Sequence, residues 1–457
     1  MTLDQDFLPI NYFTLSQGRH EWSLSQDVVA RGTVGNYSWT GGLFGFYKST
    51  KMSAPVNLQD EGVAYLITDR INQNDRIPVR LQLGNPDILL GSDFRIPVWG
   101  LAVYHQSSLD INRVNLALGL RLDYESTRLN YASLCNTKYA VYMKSGMPPG
   151  PLMSGDLNVD LNGKLKDHFL EFIPKLTVTY DLPMESKSSL YASVGKGYKS
   201  GGYNTQMFSE VLQSKMQKEL MALMPMQQPG TSTDSEGPTV DEVVSYKPER
   251  SWNYEIGAHI ACADGRVMTD LALFYIDCRD QQLTKFPDGT TTGRITTNAG
   301  RTRSFGAEAQ IRFNPTRHWA FNLSYGYTNA RFLRYVSGND NYRNKRIPYA
   351  PENTLFVSGS YTHSVGHDFE MEYNLRCRGV GRIYWNESND RTQPFYATLG
   401  ASVTARWSWM AHEAWVENIT ATHYNTFFFT SLRNNFVQRG NPFSFGLTAR
   451  LEFASGK

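Results

Sequence analysis

The feature that most constrains this chain is strict two-residue alternation sustained over ten residues or more. Val114, Leu116, Leu118, Leu120, Leu122 and Tyr124 alternate with Arg113, Asn115, Ala117, Gly119, Arg121 and Asp123. Trp319, Phe321, Leu323, Tyr325 and Tyr327 alternate with Ala320, Asn322, Ser324, Gly326 and Thr328. Phe305 to Phe313, Leu399 to Trp407 and Phe443 to Phe453 repeat the pattern. A strand sends successive side chains to opposite faces, so each segment has one oily and one wet side. Strands of soluble sandwiches usually run ~5–6 residues. Crossing a bilayer at a tilt needs ~9–11. A soluble β-sandwich or β-helix accounts for the alternation but not for its length.

About fifteen such strands can be read along the chain, from near residue 20 to near residue 453, and the connections between them alternate. Short ones include Asp110–Ile111, Leu182–Lys187, Ala263–Gly265, Asn314–Arg317, Ser364–Asp368 and Ser408–Met410. Long ones cover 49–96, 126–168, 204–246, 334–349 and 421–439. Outer-membrane barrels have short turns on the periplasmic side and long external loops, and a sandwich has no reason to keep that asymmetry in step. The expected fold is therefore an all-β, antiparallel transmembrane β-barrel in the outer membrane, with lipid as a partner. Leu118, Leu323, Ala401 and Leu447 are expected to face lipid. Arg121, Ser324, Ser402 and Arg450 are expected to face the lumen.

Composition removes other classes. No apolar run approaches the ~18 residues of a membrane helix. At +2 the net charge gives nucleic acid no basic footprint. Aromatic residues make up 13% of the 457, too many for a disordered chain. Cys135, Cys262, Cys278 and Cys377 are widely spaced, which supports neither a disulfide framework nor a zinc site. The start has no secretory pattern. No nucleophile-elbow, metalloprotease or Walker motif is present, and Asp123 and Glu125 read as lumen or rim charges, so neither catalytic residues nor a cofactor are expected. His363 and His367 flank a short turn and read as turn residues rather than a metal pair. Ser209–Met224 reads as an amphipathic helix with Val211, Leu212, Met216, Leu220 and Leu223 on one side. The methionines around it, Met207 to Met226, read as its apolar face rather than a soft-metal site.

Six segments resemble TonB-dependent outer-membrane receptors, in that family's order. They are Leu190–Asn204 (LYASVGKGYKSGGYN), Tyr246–Gly257 (YKPERSWNYEIG), Asn298–Gln310 (NAGRTRSFGAEAQ), Arg346–Leu355 (RIPYAPENTL), Val416–Tyr424 (VENITATHY) and Gln438–Phe453 (QRGNPFSFGLTARLEF). The resemblance implies energy-coupled uptake of a scarce extracellular nutrient such as a ferric siderophore. The family's barrel has 22 strands around a plug. Residues 1–457 are expected to be a barrel portion without the plug or about seven strands, engaging the TonB complex only if a plug is supplied. A passive porin-like channel is the alternative reading, and a soluble β-rich binding protein a third.

Residues expected near the external ends give the candidate ligand contacts: Tyr198, Tyr203, Arg294, Arg301, Arg303, Arg382, Trp385 and Arg391. Converging guanidinium groups suit an anionic ligand. Trp385, with Tyr384 and Phe427–Phe429, fits either an aromatic girdle or ligand stacking.

Overall fold

A computed structural model describes residues 2–4, 9–75, 77–85, 87–184, 186–223, 239–285, 295–366, 368–407, 409–431 and 434–451. Its frame is a meander of fifteen long antiparallel strands. They are β1 (Gly18–Val34), β2 (Tyr37–Ser53), β3 (Ile88–Ile111), β4 (Val114–Met143), β5 (Met153–Asp181), β6 (Ser189–Lys199), β7 (Glu249–Cys262), β8 (Val267–Lys285), β9 (Ile295–Thr316), β10 (Trp319–Arg334), β11 (Asn353–Val365), β12 (Phe369–Val380), β13 (Tyr396–Trp407), β14 (Met410–Glu417) and β15 (Ser444–Leu451). Each pairs with the next. These are the strands the alternation predicts.

The ladders carry a single pair of faces across the sheet. Leu118 sits opposite Leu176, Leu323 opposite Ile311 and Val357, Ala401 opposite Leu375, and Leu447 opposite Ala414. Arg121, Ser324, Ser402 and Arg450 occupy the other face. The apolar face is the one a bilayer stabilises, by roughly 25 cal/mol per Å² of apolar area taken from water. Two-residue hairpins close the short end: Gly35 (φ 61°) and Asn112 (φ 54°) take the left-handed conformation such turns require.

Two strands depart most from the expected lengths. Residues 126–168 read as a long loop, but β4 is 30 residues long and β5 is 29, and only 144–152 connect them. The alternation continues above Tyr124, but the face that was oily now carries Arg128, Asn130, Asn136 and Lys138. A search for a lipid-facing pattern ends there although the ladder does not. The other face turns apolar at the same height, with Leu129, Cys135, Tyr139 and Val141 buried.

That apolar extension is the floor of a cap at the loop-bearing end. The helix Phe208–Ala222 lies on it through Phe208, Leu212, Met216 and Leu220, all essentially inaccessible. Phe208 packs its ring 4.7 Å from Tyr131 and 5.0 Å from Phe94. Short helical pieces between residues 60 and 72 add Ile67 and Ile71 to the same core. The strand Phe13–Ser16 pairs with Val56–Leu58, which pairs with β3, and buries Phe13 and Leu15 there. The helix matches the expected Ser209–Met224 to within two residues. Its packing against a sheet above the oily belt was not visible in its own pattern.

Both β1 and β15 run from the loop-bearing end towards the short turns. Among the described residues no ladder joins them. Every residue of β1 except Gly32 is exposed, and Leu447 in β15 is 86% exposed. The sheet therefore has two free margins of matching direction. Among the described residues no helix is long and apolar enough to cross a membrane.

Candidate functional site

At belt height the polar face is a lattice of paired charges. Glu171 on β5 is almost wholly buried and accepts from Lys196 Nζ at 2.9 Å and Arg250 Nε at 2.6 Å, one from each of the next two strands. Arg121 Nε donates to Asp123 at 2.8 Å, Tyr191 to Glu255 at 2.7 Å, and Arg376 pairs with Glu417. Buried carboxylates are tolerable only with such partners. The lattice is balanced in sign, so it provides a wet, rigid wall rather than a charge trap.

Above it the wall meets the cap and the loops. Ser200, which follows the candidate Tyr198, donates to Glu125 at 2.8 Å. Tyr203 stands where the cap segment rejoins the barrel, opposite Ser245. Burial first, and then Asp167, pushes its phenol up from the ordinary value. Asn204 locks this corner by exchanging two 2.8 Å hydrogen bonds with the backbone of Thr296, at the start of β9.

A second cluster gathers the loops that follow β10, β12 and β14. Trp385 is only 5% exposed, packed on Val380, Ile383 and Phe428 and 5.6 Å from the Tyr349 ring. Tyr349 stacks on Phe427 at 5.3 Å and donates to the Phe428 carbonyl. Trp385 thus holds loops together, and Tyr349, which the sequence reading missed, presents the more open ring. Arg391 lends its carbonyl to Trp385 N, and Arg382 lends its own to Glu352 N. Both are therefore fixed at their backbones, with their charges at the loop-bearing end. The Tyr384 phenol and Glu352 raise the Arg382 guanidinium further, so it stays charged.

Arg301 and Arg303 do not converge with these groups. They continue the odd-numbered row of β9, the apolar face that carries Phe305 and Ile311. The structure brings them together with Arg279, Arg334 and Arg343 instead. Those three went unremarked because each sits on a different strand or loop, and Arg334 comes opposite Arg301 only through a register shift in the ladder, although Arg279 and Arg301 each continue the alternation past the last aromatic residue of their strands. Arg294 and His367 lie outside the described residues, as do Met224 and Met226. Met216 points into the cap core, 3.8 Å from Cys135 Sγ. Among the described residues no group of three or more His, Cys, Asp or Glu is placed to hold a metal ion.

Comparison with known proteins agrees with this architecture. A family model described as "TonB dependent receptor-like, beta-barrel" matches residues 3–425. No curated protein matches the sequence. Among solved structures, the ferric yersiniabactin uptake receptor FyuA from Yersinia pestis superposes with a TM-score of 0.65 at 19% identity, over 98% of this chain and 56% of that one. The ferric citrate transporter FecA gives 0.53 at 16% identity, over 97% and 62%. The siderophore receptor PiuA from Acinetobacter baumannii gives 0.51 at 11% identity, over 96% and 65%. The chain thus spans less than two thirds of the length of each, and likeness at this identity is a likeness of fold.

Proposed function

The chain belongs to the TonB-dependent receptor β-barrel family of the outer membrane, and on that premise we propose that it forms the wall and external mouth of a receptor for energy-coupled uptake of an anionic nutrient such as a ferric siderophore. The family is one of transport receptors, which sets the porin-like and enzymatic readings aside. The observation that carries the proposal is the continuous polar face, which climbs from the short turns to a folded cap at the loop-bearing end. Loop alternation supports placing that end outside the cell. There Tyr198, Tyr203, Arg382 and Arg391 contact the ligand, and Trp385 holds the loops that present them. Arg301 and Arg303, which line a separate recess with Arg279, Arg334 and Arg343, are left out of this set.

Gating needs a plug, supplied in cis or in trans, and it is the plug that the TonB complex pulls. The test is capture and uptake of radiolabelled ferric siderophores by a plug-completed receptor in a receptor-deficient strain. Replacing both Arg382 and Arg391 with alanine removes two charge-assisted contacts and is expected to weaken capture at least about tenfold. Undiminished capture would remove these residues from the ligand site. Uptake that persists without TonB would favour passive diffusion.

A further inference from the structure

A recess of ≈ 630 Å³ at the external end is lined by Arg279, Arg301, Arg303, Arg334 and Arg343, and among the described residues no carboxylate lines it. The ladder produces the crowding. Arg301 on β9 lies directly opposite Arg279 on β8 and Arg334 on β10, and Arg303 lies opposite Asp277 and Arg331. Like charges directly opposite one another destabilise a sheet. Asp277 offsets only part of this, accepting from Arg301 Nε at 2.8 Å. The Nε of Arg303 is buried and has no hydrogen-bond partner among the described residues. A buried donor left unpaired is costly, and an arriving acceptor relieves that cost. Gly300 lets Arg334 approach closely: a Cβ there would press on the Arg334 carbonyl at 2.8 Å and its Nε at 3.1 Å.

The height and facing of the recess identify its ligand. Arg303 and Arg301 follow Phe313, Ile311, Ala309, Ala307 and Phe305 in the lipid-facing row of β9. They stand two and four residues beyond the last apolar ring. At ~3.3 Å per residue and a ~45° tilt, that is ~5 and ~9 Å above Phe305. Bilayer headgroups occupy roughly the first 5–7 Å beyond the hydrocarbon. Arg301 and Arg303 line the recess from the row that carries Phe305 and Ile311, not from the polar row of β9.

We propose that this recess is a docking site for the phosphate of an outer-leaflet lipid headgroup. Planar guanidinium groups bind phosphate oxygens in pairs, and basic pockets at membrane height recognise anionic headgroups. Arg301, Arg303 and Arg334 hold the phosphate, Asp277 orients Arg301, and the acyl chains run down the row from Phe305.

The test is titration of the whole chain in neutral detergent micelles with three probes. These are an acylated glucosamine disaccharide carrying two phosphates, the same lipid without phosphates, and inorganic phosphate. The phosphorylated lipid is expected to bind at least about tenfold tighter than the dephosphorylated one. Inorganic phosphate, lacking the acyl chains, is expected to compete only weakly. Replacing Arg301, Arg303 and Arg334 together with alanine is expected to abolish that preference while the heat-modifiable gel mobility of the folded barrel persists. If the triple variant fails to fold, Arg303→Lys, which keeps the charge but not the paired geometry, is expected to weaken binding of the phosphorylated lipid. Equal binding of the two lipids, or unchanged binding by a folded triple variant or by Arg303→Lys, would overturn the proposal. Competition by inorganic phosphate as strong as the lipid's own binding would make the recess a free-anion site and overturn it too.

Discussion

Leu323 and Ser324 are neighbours in sequence and opposites in environment. Leu323 sits midway along the lipid-facing row Trp319, Phe321, Leu323, Tyr325 and Tyr327, whereas Ser324 sits on the polar face opposite Gln310 and Phe356. An arginine at the bilayer midplane costs ~2–4 kcal/mol on the lipid face of a barrel, and far less on the lumen face. Leu323→Arg is therefore expected to lower the fraction reaching the folded, heat-modifiable form in liposomes, and Ser324→Arg to leave it nearly unchanged. A reversed ranking would invert the two faces. Gly306 gives a second contrast: a Cβ there falls inside contact distance of the Tyr327 carbonyl, a backbone atom that cannot swing aside. Gly306→Ala is expected to cost about 1–3 kcal/mol in urea unfolding. Gly18→Ala, with nothing within 4 Å, is expected to cost little.

The longest piece of the cap is one helix, Phe208–Ala222. Met216 is fully buried among Cys135 and the floor strands, so Met216→Ala is expected to destabilise the cap by ~2–5 kcal/mol. The belt below shares no side chain with that contact and is expected to stay folded. Hydrogen exchange should therefore speed up over 205–222 but not over β10–β13. Burial pushes the Cys135 thiol from an ordinary 9.0 up to about 11. The folded cap keeps a proton that the unfolded chain releases above pH 9, so this contribution is intact below pH 9 and fades as pH rises towards 11. The stability difference between the wild type and Cys135→Ala, measured in urea, is expected to shrink over that interval. A pH-independent difference would mean that Cys135 is not held as a buried thiol.

At the scale of the molecule, orientation and closure follow from the meander. Cys262 is exposed at the short end, by the 263–266 turn that joins β7 to β8. A membrane-impermeant maleimide is expected to label it only after the outer membrane is permeabilised, whereas a cysteine placed at Ser388 in an external loop reacts on intact cells. Labelling of Cys262 on intact cells would turn the barrel over. Gly230, the site at which protease is expected to cut from outside, lies outside the described residues. The free margins have a consequence as well. Unpaired N–H and C=O groups facing lipid cost several kcal/mol each, and β1 and β15 run the same way, so they do not close as an antiparallel pair. Left open, these margins are expected to need partner strands. The chain expressed by itself is expected to give no TonB-dependent uptake, and a version completed with a plug and further strands is expected to give it. Equal TonB-dependent uptake by both would show that the sheet closes and gates unaided.

The sequence by itself determined the fifteen strands, their faces and the direction of the loops. Each depends only on the two-residue period and on whether a face meets lipid, and both are written locally, as in Leu116 to Tyr124. It also showed the helix near 208–222, through the spacing of Leu212, Met216 and Leu220. Tertiary structure decided what no local pattern could carry. Above the belt the solvent changes from lipid to water, so the same strands exchange their polar and apolar faces, and a stretch that read as loop became the floor of the cap. Trp385 turned from a candidate ligand contact into a loop anchor because Tyr349 and Phe428, distant in sequence, close over it. Arg301 and Arg303 were visible one by one. Only the register across β8, β9 and β10 placed them beside Arg279 and Arg334, on the lipid-facing side, because cross-strand neighbours are fixed by hydrogen-bonded pairing and not by proximity along the chain.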